Sequence, residues 1–241
     1  FSAFSANYNA LQVVVNRRYA RGFSVLGSYT WSKSLGVNVA TGEGSNGPRN
    51  PYDYRSDYGP LGLDRTHNFV VSALWDLPAG GPGAPRWQQL IIGGWQMSGI
   101  ASMVSGSPLT VRSGVDNSFS GIGGDTADLV GEWRLPEGRS RQEQLNAWFN
   151  AAAFVQNAPG TFGNTGINFL RGPGSANIDF AAQKQFRITE GHRLDFRGSF
   201  YNLLNHANLG NPNTTRSNAT FGRITTASNP RVIEFGLRYA F

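Results

Sequence analysis

The last eleven residues of the chain, Arg231 to Phe241, place the strongest constraint on its fold. Every second residue in this stretch is apolar: Ile233, Phe235, Leu237, Tyr239 and Phe241. Because the side chains of a β-strand point alternately to opposite faces, one face of this strand is apolar and the other is mostly small or charged. A soluble sheet rarely leaves such a row of aromatic residues at its edge, since it promotes aggregation. A membrane β-barrel requires it, so the stretch predicts an outer-membrane barrel strand.

Six further segments have the same two-residue alternation. They lie at about 10–18, 23–32, 68–77, 95–103, 178–186 and 192–204. Lys184 interrupts the apolar face of the fifth segment, where a long side chain near a strand end can reach the interface. With the last eleven residues, these segments predict an all-β, antiparallel fold of about seven transmembrane strands. No apolar run approaches the roughly 20 residues that a membrane-spanning helix needs.

The connections between these strands alternate in length. Those after the first, third and fifth strands are short, whereas those after the second, fourth and sixth cover about 33–65, 105–176 and 205–230. In an antiparallel sheet all the long connections then leave from one rim, as in barrels with short periplasmic turns and long extracellular loops. A connection as long as 33–65 is expected to be functional or disordered. Within the second long connection, we expect residues 139–150 to form a short helix. A soluble sandwich, the alternative fold, predicts shorter and evenly spaced connections.

This arrangement predicts two rings of aromatic side chains, one near each rim. The outer ring would contain Trp31, Phe69, Phe180 and Phe200. The inner ring would contain Trp75, Trp95, Phe186 and Phe241. Because bacterial single-chain barrels have an even number of strands, seven strands predict that the chain is the C-terminal part of a larger barrel.

Composition excludes several classes of function. The net charge is +6, but the Arg residues are scattered without a Lys/Arg-rich run, so we expect no nucleic-acid binding. The net positive charge would equally suit a basic barrel lumen, or loops that lie near anionic lipid headgroups. There is no Cys, and His67, His192 and His206 lie on different segments. We therefore expect no catalytic constellation, no metal and no cofactor, and predict that the chain is not an enzyme.

Nine short phrases of the sequence resemble one known family. They are SYTWSKS (Ser28–Ser34), DRTHNFV (Asp64–Val70), GGWQMSGI (Gly93–Ile100), SGSPLTV (Ser105–Val111), APGTFGN (Ala158–Asn164), LRGPG (Leu170–Gly174), FRITE (Phe186–Glu190), FYNLLNHANLGNPN (Phe200–Asn213) and FGRIT (Phe221–Thr225). Together they resemble the C-terminal barrel half of TonB-dependent outer-membrane transporters, and most closely the Oar-like group, which carries an N-terminal carboxypeptidase-regulatory-like domain.

The resemblance implies a 22-stranded barrel in the outer membrane of a Gram-negative bacterium. Residues 1–241 would then form a single barrel segment that lacks the family's plug and N-terminal domains. The implied function is energised uptake of a solute. The implied partners are the plug domain, the TonB–ExbB–ExbD complex, outer-membrane lipid with lipopolysaccharide, and the barrel-assembly machinery. Leu237, Tyr239 and Phe241 resemble the C-terminal signal that this machinery reads.

Two alternatives to transport stay open at this point. The chain could belong to an outer-membrane adhesion or surface-binding barrel without transport activity. It could also be a complete small barrel enzyme or a soluble β-sandwich, although an enzyme needs a clustered Ser/His/Asp-type constellation that the sequence does not offer.

The segment at 50–58 is the best candidate for contacting an extracellular ligand, because aromatic and Arg side chains anchor binding surfaces. Its candidate residues are Tyr52, Asp53, Tyr54, Arg55, Asp57 and Tyr58. The alternative is that the segment only packs on the rim. Five inward-facing charges could form cross-strand pairs that stiffen the barrel wall or contact a plug. They are Asp179, Asp195, Arg197, Glu234 and Arg238.

Four residues of the second long connection could supply oxygen ligands for Ca²⁺. They are Asp116, Asn117, Asp125 and Asp128. Their spacing matches no defined calcium loop.

Overall fold

The computed structural model describes residues 5–37, 48–50, 52–78, 85, 87, 91, 93–121 and 124–241. Twelve strands lie in these ranges. They are β1 (Ala6–Ala20), β2 (Phe23–Val37), β3 (Tyr58–Pro60), β4 (His67–Asp76), β5 (Trp95–Val104), β6 (Pro108–Leu109), β7 (Asp128–Leu129), β8 (Phe154–Val155), β9 (Leu170–Arg171), β10 (Ser175–Arg187), β11 (Arg193–Tyr201) and β12 (Val232–Ala240). The same ranges also contain the α-helix α1 (Arg141–Asn146) and two 3-10 helices, Tyr54–Asp57 and Ala151–Ala153.

The seven long strands form one antiparallel sheet in the order β1-β2-β4-β5-β10-β11-β12. Each of these strands pairs with the next long strand in the sequence, so the predicted antiparallel meander is confirmed. The sheet is open within the described residues, because β1 and β12 lie at its two edges and do not pair with each other. No helix in the described part of the chain is long and apolar enough to cross a membrane.

The strand register gives the sheet one apolar side. Residues that face each other in an antiparallel pair have their side chains on the same side of the sheet. Phe196 faces Leu237 on one side, whereas Asp195 faces Arg238 on the other. The apolar side continues across every pair as far as β1 and carries Leu11, Val13, Val15, Trp31, Phe69, Trp75, Trp95, Phe180, Phe186, Phe200, Phe235 and Leu237. Seven of the eight predicted ring residues are among them, and Phe241 follows the last strand.

Several strand boundaries differ from the prediction. β2 continues to Val37, because its end pairs with the short strand β3, where Leu35 faces Pro60. The prediction of an irregular stretch from Lys33 was therefore wrong for its first residues. The turn between β1 and β2 is only Arg21–Gly22, with φ angles of 53° and 78°. Two consecutive positive φ angles are those of a type I′ hairpin turn, which matches the twist of the flanking strands. The short connection predicted after the third strand lies mostly outside the described residues.

The sixth strand also ends earlier than predicted. β11 stops at Tyr201 rather than at Leu204, because Asn202 takes a left-handed φ of 52° and its N–H donates to Asp179 Oδ1 at 2.9 Å.

The long connections fold together on one rim, and we call their described residues in 48–66, 105–174 and 202–231 the loop cap. The loop cap contains a hydrophobic core. Its buried members are Val111, Ala127, Phe149, Ala153, Phe154, Leu170 and Phe221. The prediction that 105–176 is an irregular connection was therefore incomplete, since this segment holds most of the core. The sequence pattern missed it because its apolar residues have neither a two-residue nor a helical period.

The predicted helix at 139–150 is present as the shorter α1. Ser140 caps its first turn, because Ser140 Oγ accepts from Glu143 N at 3.3 Å and Glu143 Oε2 accepts from Ser140 N at 2.7 Å. This reciprocal pair is a capping box. The helix ends where Ala147 takes an extended conformation.

Candidate functional site: the loop cap and the polar side of the sheet

Three phenylalanine rings from two different loops form the centre of the loop cap. Phe149 lies 5.4 Å from Phe154 and 5.1 Å from Phe221, measured between ring centroids. Phe154 and Phe221 meet edge to face at 6.0 Å. Burying a side chain of this size stabilises a fold by about 1.5–3 kcal/mol. The cluster therefore holds the second and third long connections in one arrangement.

A buried ion pair lies within the first long connection, and its arginine also bonds to the second. Arg49 Nε lies 3.1 Å from Asp57 Oδ1, and both side chains are buried. Arg49 also donates through Nη1 to the carbonyl oxygen of Phe162 at 3.3 Å. The Asp57 carboxylate is thus directed into the protein, unlike the other candidate side chains of this segment.

A second ion pair lies within the loop cap, and its carboxylate also bonds to β2 near the end of that strand. Asp64 is 2% exposed; its Oδ2 accepts from Arg171 Nη2 and its Oδ1 from Ser34 N. Asn168 Nδ2 donates to the carbonyl oxygen of Pro60 at 2.8 Å nearby. The DRTHNFV and LRGPG phrases therefore meet through Asp64 and Arg171, a contact that neither phrase predicts by itself because the two lie about a hundred residues apart.

The remaining candidates for ligand contact lie on the surface of the loop cap. Tyr52 is 96% exposed, and Asp53, Tyr54, Arg55 and Tyr58 are exposed as well. Such side chains can anchor a ligand through stacking and hydrogen bonding. Their role in binding stays a prediction.

Sequence reasoning missed a second exposed aromatic residue, Phe119. It is 76% exposed and has a positive φ of 58°, which is uncommon for a bulky side chain. The tight turn around it is held by Asp116, which accepts from Gly121 N at 2.9 Å and Ser120 N at 3.2 Å. The Gly121 hydrogen bond, followed by those from Ser118 and Ser120, lowers the pKa of the Asp116 carboxyl from its ordinary value. The sequence does contain a signal for this turn, namely the Asp, Asn, Ser and Gly residues on both sides of a single aromatic residue.

The five predicted inward charges all lie on the polar side of the sheet. The register places Asp195 opposite Arg238, while Arg193 Nε lies 3.7 Å from Asp195 Oδ2 and Gln185 Nε2 donates to Asp195 Oδ1 at 2.9 Å. Arg197 donates to Ser199 Oγ at 3.1 Å. Glu234 faces Ser199, and Asp179 lies near the loop cap.

A shallow groove of about 610 Å³ runs along this polar side. Leu26 and Ile100 line it on either side of Ser72, and Asn16, Arg18 and Arg197 line it as well. The polar side is therefore able to contact a ligand with both charged and apolar parts.

Each rim carries a histidine that stacks on a tyrosine. His67 Nδ1 lies 2.8 Å from the Tyr29 hydroxyl, and His192 Nδ1 lies 2.6 Å from the Tyr239 hydroxyl. In the part of the chain that the structure describes, no group of three or more His, Asp or Glu side chains is arranged to hold a metal ion. Tyr239 is thus in contact with His192. This contact is separate from the assembly signal that Tyr239 is predicted to form together with Leu237 and Phe241.

An antiparallel meander with one apolar side, one polar side and all its long loops on one rim defines the wall of a membrane β-barrel. The family model of the outer membrane beta barrel domain matches residues 1–234. The chain therefore belongs to this family and is a protein of the bacterial outer membrane. A search of the curated proteins found no match.

Proposed function

We propose that this chain is the C-terminal wall of a TonB-dependent receptor, which binds a solute at its loop cap and imports it with energy from the inner membrane. The observation that carries the proposal is the folded loop cap above the polar side of the sheet. A surface held by its own core, by one buried ion pair and by one partly exposed ion pair loses little conformational entropy on binding. A plug domain in the lumen and the TonB–ExbB–ExbD complex would be its partners.

The polar side of the sheet supports transport rather than surface binding alone. Its charges and the groove around Leu26 and Ile100 give a solute contacts below the loop cap. A barrel that only attaches cells to a surface also has a polar side, but it needs no solute groove there, because its ligand stays outside.

Uptake in whole cells tests the proposal. A deletion strain of the full-length gene is compared with its parent for uptake of labelled siderophores, oligosaccharides and peptides. We expect one solute class to lose high-affinity uptake in the deletion strain and equally in a TonB-deficient strain. Uptake that depends on the gene but persists without TonB would contradict the proposal.

Adhesion is the second candidate, and the exposed side chains of Tyr52, Leu63 and Phe119 favour it. Where exposed apolar groups form a continuous patch on an outer surface, they mark an interaction site. An adhesive role predicts that cells lacking the gene lose attachment to a surface or partner cell, whereas TonB-deficient cells keep it.

A further inference from the structure

The loop cap encloses three oxygen atoms without a hydrogen-bond partner among the described residues. They are Ser113 Oγ, Asp125 Oδ1 and Asn157 Oδ1. All three residues are at most 2% exposed. Buried polar groups are almost always paired, so each such atom requires an explanation, and a bound ion or water is one of the usual ones. Three of them in one place point to a common ligand.

The backbone register brings the first two side chains together. Arg112 and Thr126 form an antiparallel bridge, so the next residues, Ser113 and Asp125, face each other. Ser113 N donates to the carbonyl oxygen of Asp125 at 2.9 Å. Facing side chains lie on the same side of an antiparallel pair, with Cβ atoms about 5 Å apart. Ser113 Oγ and the Asp125 carboxylate are therefore neighbours.

Asn157 reaches the same carboxylate from another part of the loop. Its Nδ2 donates to Asp125 Oδ2 at 2.9 Å and also to the carbonyl oxygen of Thr161. Because both neighbours of Nδ2 are acceptors, the amide orientation is fixed and its oxygen stays available. Ser118 N donates to the same Asp125 Oδ2 at 2.8 Å, which leaves Oδ1 as the unused oxygen of the carboxylate.

Asp125 forms no ion pair with any described residue, so its negative charge is not compensated by one of them. Val111 and Ala127, the next facing pair on the same side, are fully buried in the hydrophobic core. A carboxylate taken out of water beside apolar side chains needs an opposite charge as well as hydrogen bonds. A water molecule would satisfy the three oxygens but would add no charge.

We propose that Asp125 Oδ1, Asn157 Oδ1 and Ser113 Oγ bind a hard cation, with Ca²⁺ as the best match. Carboxylate, amide and hydroxyl oxygens are ligands that suit Ca²⁺, and the loops of a barrel face the calcium-containing exterior. Only one ligand carries a charge, so the affinity belongs at the weak end, about 10⁻⁴ to 10⁻³ M. The cation would join three segments of the second long connection and stabilise the loop cap.

The site agrees only in part with the oxygen ligands that the sequence suggests. Asp125 belongs to it. Asp116 instead holds the turn around Phe119, Asp128 Oδ1 accepts from Asn164 N at 2.9 Å, and Asn117 Nδ2 donates to the carbonyl oxygen of Asn157 at 2.6 Å. Asn157 and Ser113 could not be found from spacing, because folding brings them to Asp125 from 32 and 12 residues away.

Calcium binding to the full-length protein tests this site independently of uptake. The protein is purified from outer membranes in detergent, stripped with EDTA and titrated with CaCl₂ at constant ionic strength. We expect Asp125→Asn to bind one Ca²⁺ fewer per chain than the parent, with the lost site half-saturated at about 0.1–1 mM. Asp128→Asn, a nearby carboxylate outside the site, should keep the parent stoichiometry. Calcium should also protect the loop cap of the parent from protease, and not that of Asp125→Asn.

Two outcomes would overturn the proposal. One is equal Ca²⁺ stoichiometry in the parent and in Asp125→Asn. The other is that the parent binds no Ca²⁺ up to about 10 mM CaCl₂, ten times the weakest expected dissociation constant. In that case an ordered water alone would occupy the site. If Asp125→Asn fails to assemble, Ser113→Ala decides, because it removes one neutral oxygen and keeps the backbone. Weaker calcium binding in Ser113→Ala supports the site, and unchanged binding contradicts it.

Discussion

The sheet and the loop cap place their apolar side chains in opposite ways. In the loop cap, Phe154 and Phe149 are 0% and 1% exposed. In the sheet, Phe235 and Leu237 are each 69% exposed. The difference follows from the solvent that each region meets, since the outer side of a barrel faces lipid whereas loops face water. The hydrophobic core of this chain therefore lies in its loops, and the two regions should respond separately to substitution.

The largest effect is expected for Phe154→Ala in the core of the loop cap. Removing a buried phenylalanine ring costs about 3–5 kcal/mol, because the lost burial adds to the cavity that remains. Limited proteolysis of whole cells should show rapid cleavage in the loop cap, with normal amounts of barrel in the outer membrane. The neighbouring Val155→Ala, at a partly exposed position, should have little effect. Loss of the barrel itself would show that the two regions are not separate.

Asp64→Ala should be the next most damaging change. It leaves Ser34 N without its acceptor and breaks the pair with Arg171, which costs about 2–3 kcal/mol given the partial exposure of Arg171. Hydrogen exchange should increase at the ends of β2 and β9. Glu132→Ala is the control, because its pair with Arg134 is exposed and contributes little. Equal exchange in the two variants would contradict this role of Asp64.

In the sheet, Phe235→Arg tests the lipid-facing side. An arginine near the centre of a lipid-facing strand costs about 2 kcal/mol or more. Urea unfolding of the full-length protein in lipid vesicles measures this cost. Glu234→Arg places an arginine on the polar side, one residue away. This variant should unfold at nearly the same urea concentration as the parent protein. A similar loss in both variants would mean that the two sides do not differ in environment.

The smallest effect is expected for Ser140→Ala at the start of α1. Losing the capping residue costs about 1 kcal/mol. The Ser140 hydroxyl and backbone N–H hydrogen bonds lower the pKa of Glu143 below its ordinary value. This contribution is present at neutral pH and is lost as the pH falls through the lowered pKa. Hydrogen exchange of α1 should therefore separate Ser140→Ala from the control Gln142→Ala at neutral pH, and less so in acid.

The sequence predicts the sheet better than it predicts the loop cap. Alternation reports directly on the two sides of a strand, so all seven long strands follow from it, as does the apolar side for seven of the eight predicted ring residues. Their ends depend on other parts of the chain. β2 extends to Val37 only because β3 pairs with it, and β11 stops where Asn202 binds Asp179.

The loop cap depends on contacts between residues far apart in the chain. Arg49 with Phe162, Asp64 with Arg171, and Phe149 with Phe221 have no periodic signature. The candidate segment at 50–58 was recognisable from its aromatic and charged residues, but the burial of Asp57 was not. The helix α1 also had a local signal, the Ser140 and Glu143 capping box.

Cysteine scanning along β12 tests most directly whether the two sides of the sheet face different solvents. This chain contains no cysteine, so single cysteines at 233–238 can each carry a fluorophore in the full-length protein, with any cysteine elsewhere replaced. In vesicles that contain a lipid-attached quencher, we predict strong quenching at Ile233, Phe235 and Leu237 and weak quenching at Glu234, Gly236 and Arg238. Equal quenching at all six positions, or the reverse alternation, would contradict a barrel wall.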